Sequence, residues 1–548
     1  MRELRGIGVS PGRAAGPVLR LAPPPSLPSP PAVLDAAAEH DGVRRAVALV
    51  ADDLSRRADA AADPTAAEVL RAQVLMATDE MLTSAADDAV DGGLPAAHAL
   101  AAALAEHRAA FEAAGGYLAE RVSDLDDLRD RLVAACLGVA MPGVPSPGHP
   151  FVLVARDLSP ADTAGLDPSV VVGLVTAEGG PTSHTAILAR TLGIPAVVRC
   201  PDIADISEMS VIALDGGTGV VTAGLTDAEA SDVNAAAALV RARRASSDGP
   251  GRTADGHPVA LLANIGSARD LIADVEGVGL FRTELLYLDR TDPPGEREQV
   301  EAYRAVFSAL PGRKVVVRTL DAGADKPLPF LRLADEPNPA LGVRGLRVAR
   351  RAPEVLDTQL SAIAAAAATT DADVWVMAPM VATAAEAADF AAACRAHGLP
   401  TAGVMIEIPA AALRAPSILR DADFLSLGTN DLSQYTFAAD RMCGDLADLL
   451  DPWQPALIAL IAACATAGAE AGKPVGVCGE SAADPGFAVV LAGLGISSLS
   501  MAPRSIPAVR EALAAHTLED CRRIAKAALA ADTPEAARAV LTHAGGAP

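Results

Sequence analysis

The sequence predicts an α/β multidomain protein: an α/β domain interrupted by an inserted helical subdomain, followed by a C-terminal (β/α)8 barrel. Three observations carry that expectation. Two proline-dense links, 23–31 and 142–150, bracket an Ala/Leu/Glu/Arg-rich block that has β-branched runs on either side of it. A Gly/Ser/Asp-rich stretch, Ser246–Gly256, marks a domain boundary near residue 250. Beyond it, eight strand candidates alternate with helical segments over roughly 300 residues, the pattern of a closed parallel barrel.

Taken in order, Ile7–Leu21 reads as strand and turn, with Gly8, Ser10, Pro11 and Gly12 in the turn. The proline link after it continues neither a helix nor a central strand. From 32 to 140 apolar residues recur at three- and four-residue spacing, over Ala67–Met81, Ala96–Leu118 and Leu125–Leu137, as in helices that bury one face. Strand-like runs return at Phe151–Val154, Val170–Val175, Ala196–Val198 and Val211–Ala213, and Asp227–Arg244 reads as a helix. The barrel strands are expected at Val259–Asn264, Gly277–Phe281, Lys314–Thr319, Val374–Pro379, Gly403–Glu407, Phe424–Leu427, Pro474–Cys478 and Ile496–Met501. The expected domains are therefore 1–31 with 141–226 (α/β), 32–140 (helical insertion), 227–256 (linker helix and hinge) and 257–548 (barrel).

Composition narrows the function classes. Hydrophobic content of 51% with only 3% aromatics implies large aliphatic cores. A net charge of −24 argues against nucleic acid as the main partner, so an anionic substrate has to be caught by local arginines. Seven cysteines without a CxxC pair fit free thiols in a reducing compartment. The N-terminal stretch Met1–Val9 lacks an apolar signal core, and no 18-residue apolar segment free of breakers is found downstream. The expectation is a cytoplasmic chain without membrane insertion.

Two constellations carry chemistry. Gly179–Arg190, Gly-Gly-Pro-Thr-Ser-His-Thr-Ala-Ile-Leu-Ala-Arg, follows the run Val170–Val175 and reads as strand, glycine turn and helix start. That places His184 in the first helical turn, where free N–H groups and the helix dipole suit a phosphoryl group and disfavour a protonated imidazole. A lone histidine at a helix start is most often a capping residue. Here paired glycines and the hydroxyls of Thr182, Ser183 and Thr185 surround it. In the barrel, the ends of the strands collect Arg282, Arg318, Glu407, Asn430, Asp431 and Cys478, with Arg344 and Arg441 in loops that can reach the same rim. Any one of them alone reads equally well as a surface charge or a structural ion pair; five strand ends in agreement do not. Arginine forks bind phosphate and carboxylate in two-point fashion, so Arg282, Arg318, Arg344 and Arg441 suit a small, multiply anionic substrate. Glu407 and Asp431 offer the hard oxygen ligands that Mg²⁺ takes alongside substrate oxygens and water. Cys478 is either a proton donor or a packing thiol.

The histidine stretch resembles the phosphohistidine motif of the phosphoenolpyruvate (PEP)-utilising enzymes, in which the histidine carries phosphate between two sites. The segments Gly279–Glu284, Val317–Asp321 with Asp325 and Lys326, Asn338–Arg344, Gly403–Pro409, Ser426–Gln434 and Val477–Glu480 resemble the PEP-binding barrel of the same family. With a helical insertion and no room for a large ATP-binding domain, the chain is most similar to the enzyme I class of PEP:sugar phosphotransferase systems. The resemblance implies that PEP, with Mg²⁺, phosphorylates His184, that pyruvate leaves, and that the phosphoryl group passes to a histidine of the phosphocarrier HPr as a first step of sugar uptake. It further implies phosphate binding by Arg282 and Arg318, substrate binding by Asn430 and Arg441 with Arg344 and Lys326 as further candidates, metal ligation by Glu407 and Asp431, and protonation of the enolate by Cys478. It also implies docking of HPr on 32–140, where Arg121–Arg131 matches a family segment, a swivel at the linker, and a homodimer formed through the barrel. Three positions depart from the family pattern. Pro181 follows the glycines, Cys443 replaces a common Asn, and Gln73 stands where a His is often found on the HPr-facing surface. The alternatives are a PEP- or pyruvate-handling lyase and a regulatory paralogue of enzyme I.

Overall fold

A computed structural model describes residues 2–30, 33, 35–60, 64–114, 122–159, 162, 166–180, 183–245, 249–272, 275–288, 290, 292–323, 328–331, 336–441 and 443–544. Of the positions singled out above, Leu118, Arg121, Pro181, Thr182, Ser246, Asp325 and Lys326 lie outside the described residues. The chain forms two compact units, residues 1–241 and 242–548.

The first unit is built on an eight-stranded mixed sheet. Its strands are β1 (Arg2–Arg5), β2 (Ile7–Ser10), β3 (Arg13–Arg20), β4 (Phe151–Ala155), β5 (Val171–Thr176), β6 (Ala196–Val198), β7 (Val211–Asp215) and β8 (Val220–Ala223), in the spatial order β1-β8-β7-β3-β4-β5-β6-β2. The centre, β3 to β6, is parallel, and the flanking pairs are antiparallel. Every residue of β4 is buried, which is why the strand reads as a continuous apolar run. β1 and β8 escape the sequence reading: in β1 only Leu4 is buried among Arg2, Glu3 and Arg5, too little for a periodic signal.

Between β3 and β4 the described residues form five helices, α1 (Ala36–Ala60), α2 (Pro64–Ala77), α3 (Glu80–Asp91), α4 (Ala96–Ala114) and α5 (Val122–Leu137). They close around Leu54, Leu70, Leu82, Leu100, Leu128 and Leu132. The single periodic stretch expected over Ala67–Met81 is two helices. Asp79 caps the second, its carboxylate accepting the Met81 N–H at 2.7 Å, and that local bond outcompetes helix continuation. The expected surface position of Gln73 is corrected as well. Gln73 is fully buried and donates to Asp127 Oδ2 at 3.2 Å, an oxygen that also accepts from Arg131 Nε at 2.9 Å. An amide can be buried where a carboxylate accepts its N–H.

Helix α6 (His184–Leu192) connects β5 to β6, and α7 (Asp227–Ala245) runs through the end of the unit at Arg241. The side chain of Asn234 on α7 behaves as an extra strand partner. It accepts from Ala15 N at 2.9 Å and donates to Ala15 O at 2.8 Å, at a point of β3 that β4 does not reach, since their pairing covers only Val18 to Arg20.

The second unit is a closed barrel of eight parallel strands. These are β9 (Ala260–Ile265), β10 (Gly277–Arg282), β11 (Lys314–Arg318), β12 (Asp373–Ala378), β13 (Ala402–Ile406), β14 (Leu425–Leu427), β15 (Val475–Val477) and β16 (Ser498–Met501), each within two residues of its expected bounds. Among the outer helices are α8 (Glu296–Ser308) and α9 (Pro353–Ala367). The stretch Leu446–Ala471 is long and apolar enough by composition to cross a membrane. Its helical part, Pro455–Ala471, buries Leu457, Ile458, Ile461 and Cys464 as one of the outer helices of the barrel. Leu280, Val316, Met377, Met405 and Phe424 fill the barrel interior. Toward the N-terminal ends of the strands, Lys314 Nζ lies 3.6 Å from the Trp375 ring centroid and Trp375 packs on Phe424 at 4.8 Å, leaving a void of about 20 Å³. That end is plugged, so chemistry belongs to the other.

Replacing Asn234 with Ala strands both backbone groups of Ala15, an expected loss of about 1–3 kcal/mol. Denaturation followed by circular dichroism should show an earlier transition for the first unit. Tryptophan fluorescence, which reports only Trp375 and Trp453 in the barrel, should not move.

Candidate active site

The histidine stretch folds as its residues dictate. Gly179 takes φ +91°, a conformation that side chains other than glycine's rarely adopt, and turns the chain after β5. Ser183 is the N-cap of α6, its Oγ accepting the Ala186 N–H at 3.3 Å, and Gly193 closes the helix at φ +69°. His184 is thus the first helical residue, where unpaired N–H groups gather. Behind the turn, Asp157 Oδ1 accepts from Thr185 Oγ1 and from Leu158 N, each at 2.9 Å, and ties the start of α6 to the loop after β4.

In the barrel, the C-terminal ends of the strands open into a cavity of about 630 Å³. Its wall brings together Arg282, Arg318, Glu407, Asn430, Asp431, Arg441 and Cys478. Arg344 is not among the lining residues. It is buried behind the wall, with Nη1 donating to Asp431 Oδ1 and to Tyr435 Oη, each at 3.2 Å, and Nη2 lying 3.5 Å from Asp321 Oδ1.

Four carboxylates that no residue-type argument had picked out also line the wall: Asp270 and Glu480, both exposed, and Glu284 and Asp321, which meet Arg318. Arg318 Nη2 donates to Glu284 Oε1 at 2.8 Å, its Nη1 lies 3.2 Å from Asp321 Oδ2 and 4.0 Å from Glu407 Oε1, and the Asp321 N–H also reaches Glu284 Oε1, at 3.0 Å. The available signal was spacing: an acid two residues after Arg282 and another three after Arg318, on neighbouring strand ends. Burial opposes the charge on Arg318, but Glu284, Asp321 and Glu407 outweigh it and hold the guanidinium charged. Its Nε is buried without a hydrogen-bond partner among the described residues. A buried, unpaired N–H on a cation at a cavity wall is the signature of a site for an anion.

Glu407 is the counterpart. Burial first, then the charges of Asp321 and Asp431, push its carboxyl well above the usual range against the pull of Arg318. Its Oε2 accepts the N–H of Met380 at 2.8 Å. Met380 itself sits at φ +58°, a strained backbone for a non-glycine residue that costs about 1–3 kcal/mol and occurs mainly where function demands it. Gly428 leaves room for this carboxylate, since a Cβ there would lie 2.8 Å from Glu407 Cγ. Glu407 and Asp431 are therefore two acids crowded in a dry place, which a hard cation would relieve.

Cys478 follows β15 and points its thiol at Leu427 O, 3.5 Å away. Burial pushes the thiol up to about 11, only partly offset by Ser426 and Arg318, so it carries its proton at neutral pH. Its carbonyl accepts from Asn264 Nδ2 at 3.0 Å. Asn430 Oδ1 accepts the Glu480 N–H at 3.2 Å, which ties the loop carrying Cys478 to the helix carrying Asp431. Arg441 is exposed at the mouth, 3.9 Å from Asp431 Oδ2, and Arg282 is exposed at the end of β10.

Alkylation with iodoacetamide at pH 8 should label exposed Cys443 rapidly and leave Cys478 unmodified in the folded protein. Prompt labelling of Cys478 would contradict a buried, protonated thiol.

Comparison with known proteins gives three family matches. Residues 5–121 match the N-terminal model of the PEP-utilising enzymes, residues 147–219 the mobile domain and residues 241–518 the PEP-binding domain. The chain is 53% identical over 545 residues to a phosphoenolpyruvate-protein phosphotransferase of Streptomyces coelicolor, covering 98% of each chain. It is 40% identical to a protein of the same name from Haloferax volcanii, over 99% of each. It is 38% identical to a multiphosphoryl transfer protein of Xanthomonas campestris, over 98% of this chain and 66% of that one.

Proposed function

The chain belongs to the PEP-utilising enzymes, and from that membership we propose that it acts as a phosphoenolpyruvate-protein phosphotransferase, transferring a phosphoryl group from PEP to His184 and then to a histidine of a phosphocarrier of the HPr kind. The observation that carries the reading is the meeting in one cavity of three arginines, two crowded carboxylates and a protonated thiol. Arg282 and Arg318 bind the phosphate of PEP and Arg441 its carboxylate, while Arg344 holds Asp431 in place from behind. Glu407 and Asp431 are the residues that would hold Mg²⁺, which offsets charge on the transferring phosphoryl group and on the departing oxygen. The attacking imidazole nitrogen of His184 forms the N–P bond as the enol ester C–O–P bond breaks at the P–O side. The pyruvate enolate takes a proton at C3 from Cys478 Sγ, and the thiolate recovers it from water. In the second transfer the carrier's imidazole attacks phosphohistidine 184 and leaves the enzyme's ring free.

The domain reading follows the same family. Residues 1–31 with 141–226 form the phosphohistidine domain, 32–140 the carrier-docking helices, 227–256 the linker and 257–548 the PEP-binding barrel. The family supports pairing of two copies through the barrel, and the free cysteines support a cytoplasmic setting.

Incubation with PEP and Mg²⁺ followed by mass spectrometry should give an acid-labile adduct on His184, absent in His184→Ala and discharged by added HPr. Pyruvate turnover without an adduct would replace the reading with a lyase. In Cys478→Ala the adduct should form while pyruvate release slows by about 10²–10⁴-fold, the usual size of a general-acid contribution.

A further inference from the structure

Behind the cavity, the two loops that follow Arg282 at the end of β10 and Arg318 at the end of β11 are joined by a buried side-chain network. Gln359 on α9 is its node. Its Nε2 donates to Thr283 Oγ1 at 3.1 Å and to Tyr303 Oη at 3.0 Å, and its Oε1 accepts the Leu320 N–H at 2.9 Å. Thr283 Oγ1 in turn donates to the Arg318 carbonyl at 2.9 Å. Tyr303 Oη donates to Gln299 Oε1 at 3.0 Å, as Tyr287 Oη does at 2.9 Å, and Gln299 Nε2 ends the chain on Pro294 O at 3.0 Å. Thr283, Tyr287, Gln299, Tyr303 and Gln359 are each at most 2% exposed.

Every donor and acceptor of the Gln359 amide is used, so only one orientation is allowed. A flipped amide would face the Leu320 N–H with its own N–H and point its oxygen at two hydroxyls already donating elsewhere. The groups it grips are significant by their neighbours. Thr283 lies between Arg282 and Glu284, and Leu320 lies between Arg318 and Asp321. An apolar side chain could fill the same volume, whereas a fully satisfied polar network specifies one arrangement of the backbone around it.

We propose that Gln359 is a positioning residue for phosphoryl transfer: Arg282 and Arg318 are already paired across the strand ladder, and from outside the cavity Gln359 fixes the loops that leave β10 and β11 just beyond them, and with those loops the register of Glu284 and Asp321 against the Arg318 guanidinium. The inference rests on the reading of the cavity as a PEP site. Gln359 touches no substrate and acts through Thr283 and Leu320.

The test measures single-turnover pyruvate release against PEP concentration, together with the thermal midpoint, for the full-length wild type, Gln359→Leu, Thr283→Val, Thr283→Ser and Val306→Ala. Val306, buried in the apolar core on α8, serves as a destabilising control outside the network. Gln359→Leu and Thr283→Val should raise the half-saturating PEP concentration by about tenfold, because small misplacements of paired binding groups are expensive. Thr283→Ser should restore it to within about twofold of wild type, and Val306→Ala should lower the midpoint without moving it. A Gln359→Leu value within about twofold of wild type, or an equal shift in Val306→Ala, overturns the proposal while leaving the PEP reading intact. If Gln359→Leu does not fold, equal values for Thr283→Val and Thr283→Ser overturn it instead. A wild type that releases no pyruvate removes the PEP reading and the proposal together.

Discussion

The barrel site depends on a single constraint: a guanidinium can be kept out of water only where carboxylates surround it. Arg318 meets that condition with Glu284, Asp321 and Glu407, and Arg344 meets it with Asp431 and Asp321. In this buried layer four carboxylic groups face two cations; burial first, and the neighbouring acids after it, press the Glu407 carboxyl upward, and the layer is short of positive charge. At the mouth Arg282 and Arg441 are exposed, beside the exposed Asp270 and Glu480, so the excess of acid is confined to the inner layer. A divalent cation suits the inner layer and a multiply charged anion suits the outer one. A phosphorylated substrate can meet the exposed arginines while sharing the cation with the inner acids.

The neighbouring devices serve the same layer. Met380 accepts a strained backbone and gives its N–H to Glu407, Gly428 clears space for that side chain, and Asn430 fastens the Cys478 loop to the helix bearing Asp431. The thiol stays protonated because it is dry, and it is dry because it caps the aliphatic interior of the barrel. In the first unit the logic is simpler. A glycine turn and a serine cap start a helix at His184, and Asp157 fixes that start to the adjacent strand end.

Much of this was legible in the sequence, for identifiable reasons. Parallel barrel strands are buried on both faces and read as short apolar runs, so all eight were visible, and the candidate site residues stand where the runs end. The family resemblance singled out the histidine stretch beyond what a lone histidine allows. What was not legible is tertiary. β1 holds a single buried apolar residue, and β8, though apolar, is only four residues long, too short to show a period. Gln73 reads as a polar helix residue like any other until Asp127, 54 positions away, buries it. Arg344 reads as one more rim cation until Asp431, 87 positions away, turns it inward. Gln359 stands in an amphipathic helix with nothing local to distinguish it from a solvated residue.

The most direct test of the charge-layer account is calorimetric titration of PEP into the full-length His184→Ala protein, which binds but cannot turn over, with Mg²⁺ present and with the metal chelated. The account predicts saturable binding with Mg²⁺ and an affinity weaker by about tenfold or more without it, because the inner carboxylates then repel the phosphate they should share a cation with. Equal affinity in the two conditions would contradict it, since the buried acids would then play no part in holding the substrate.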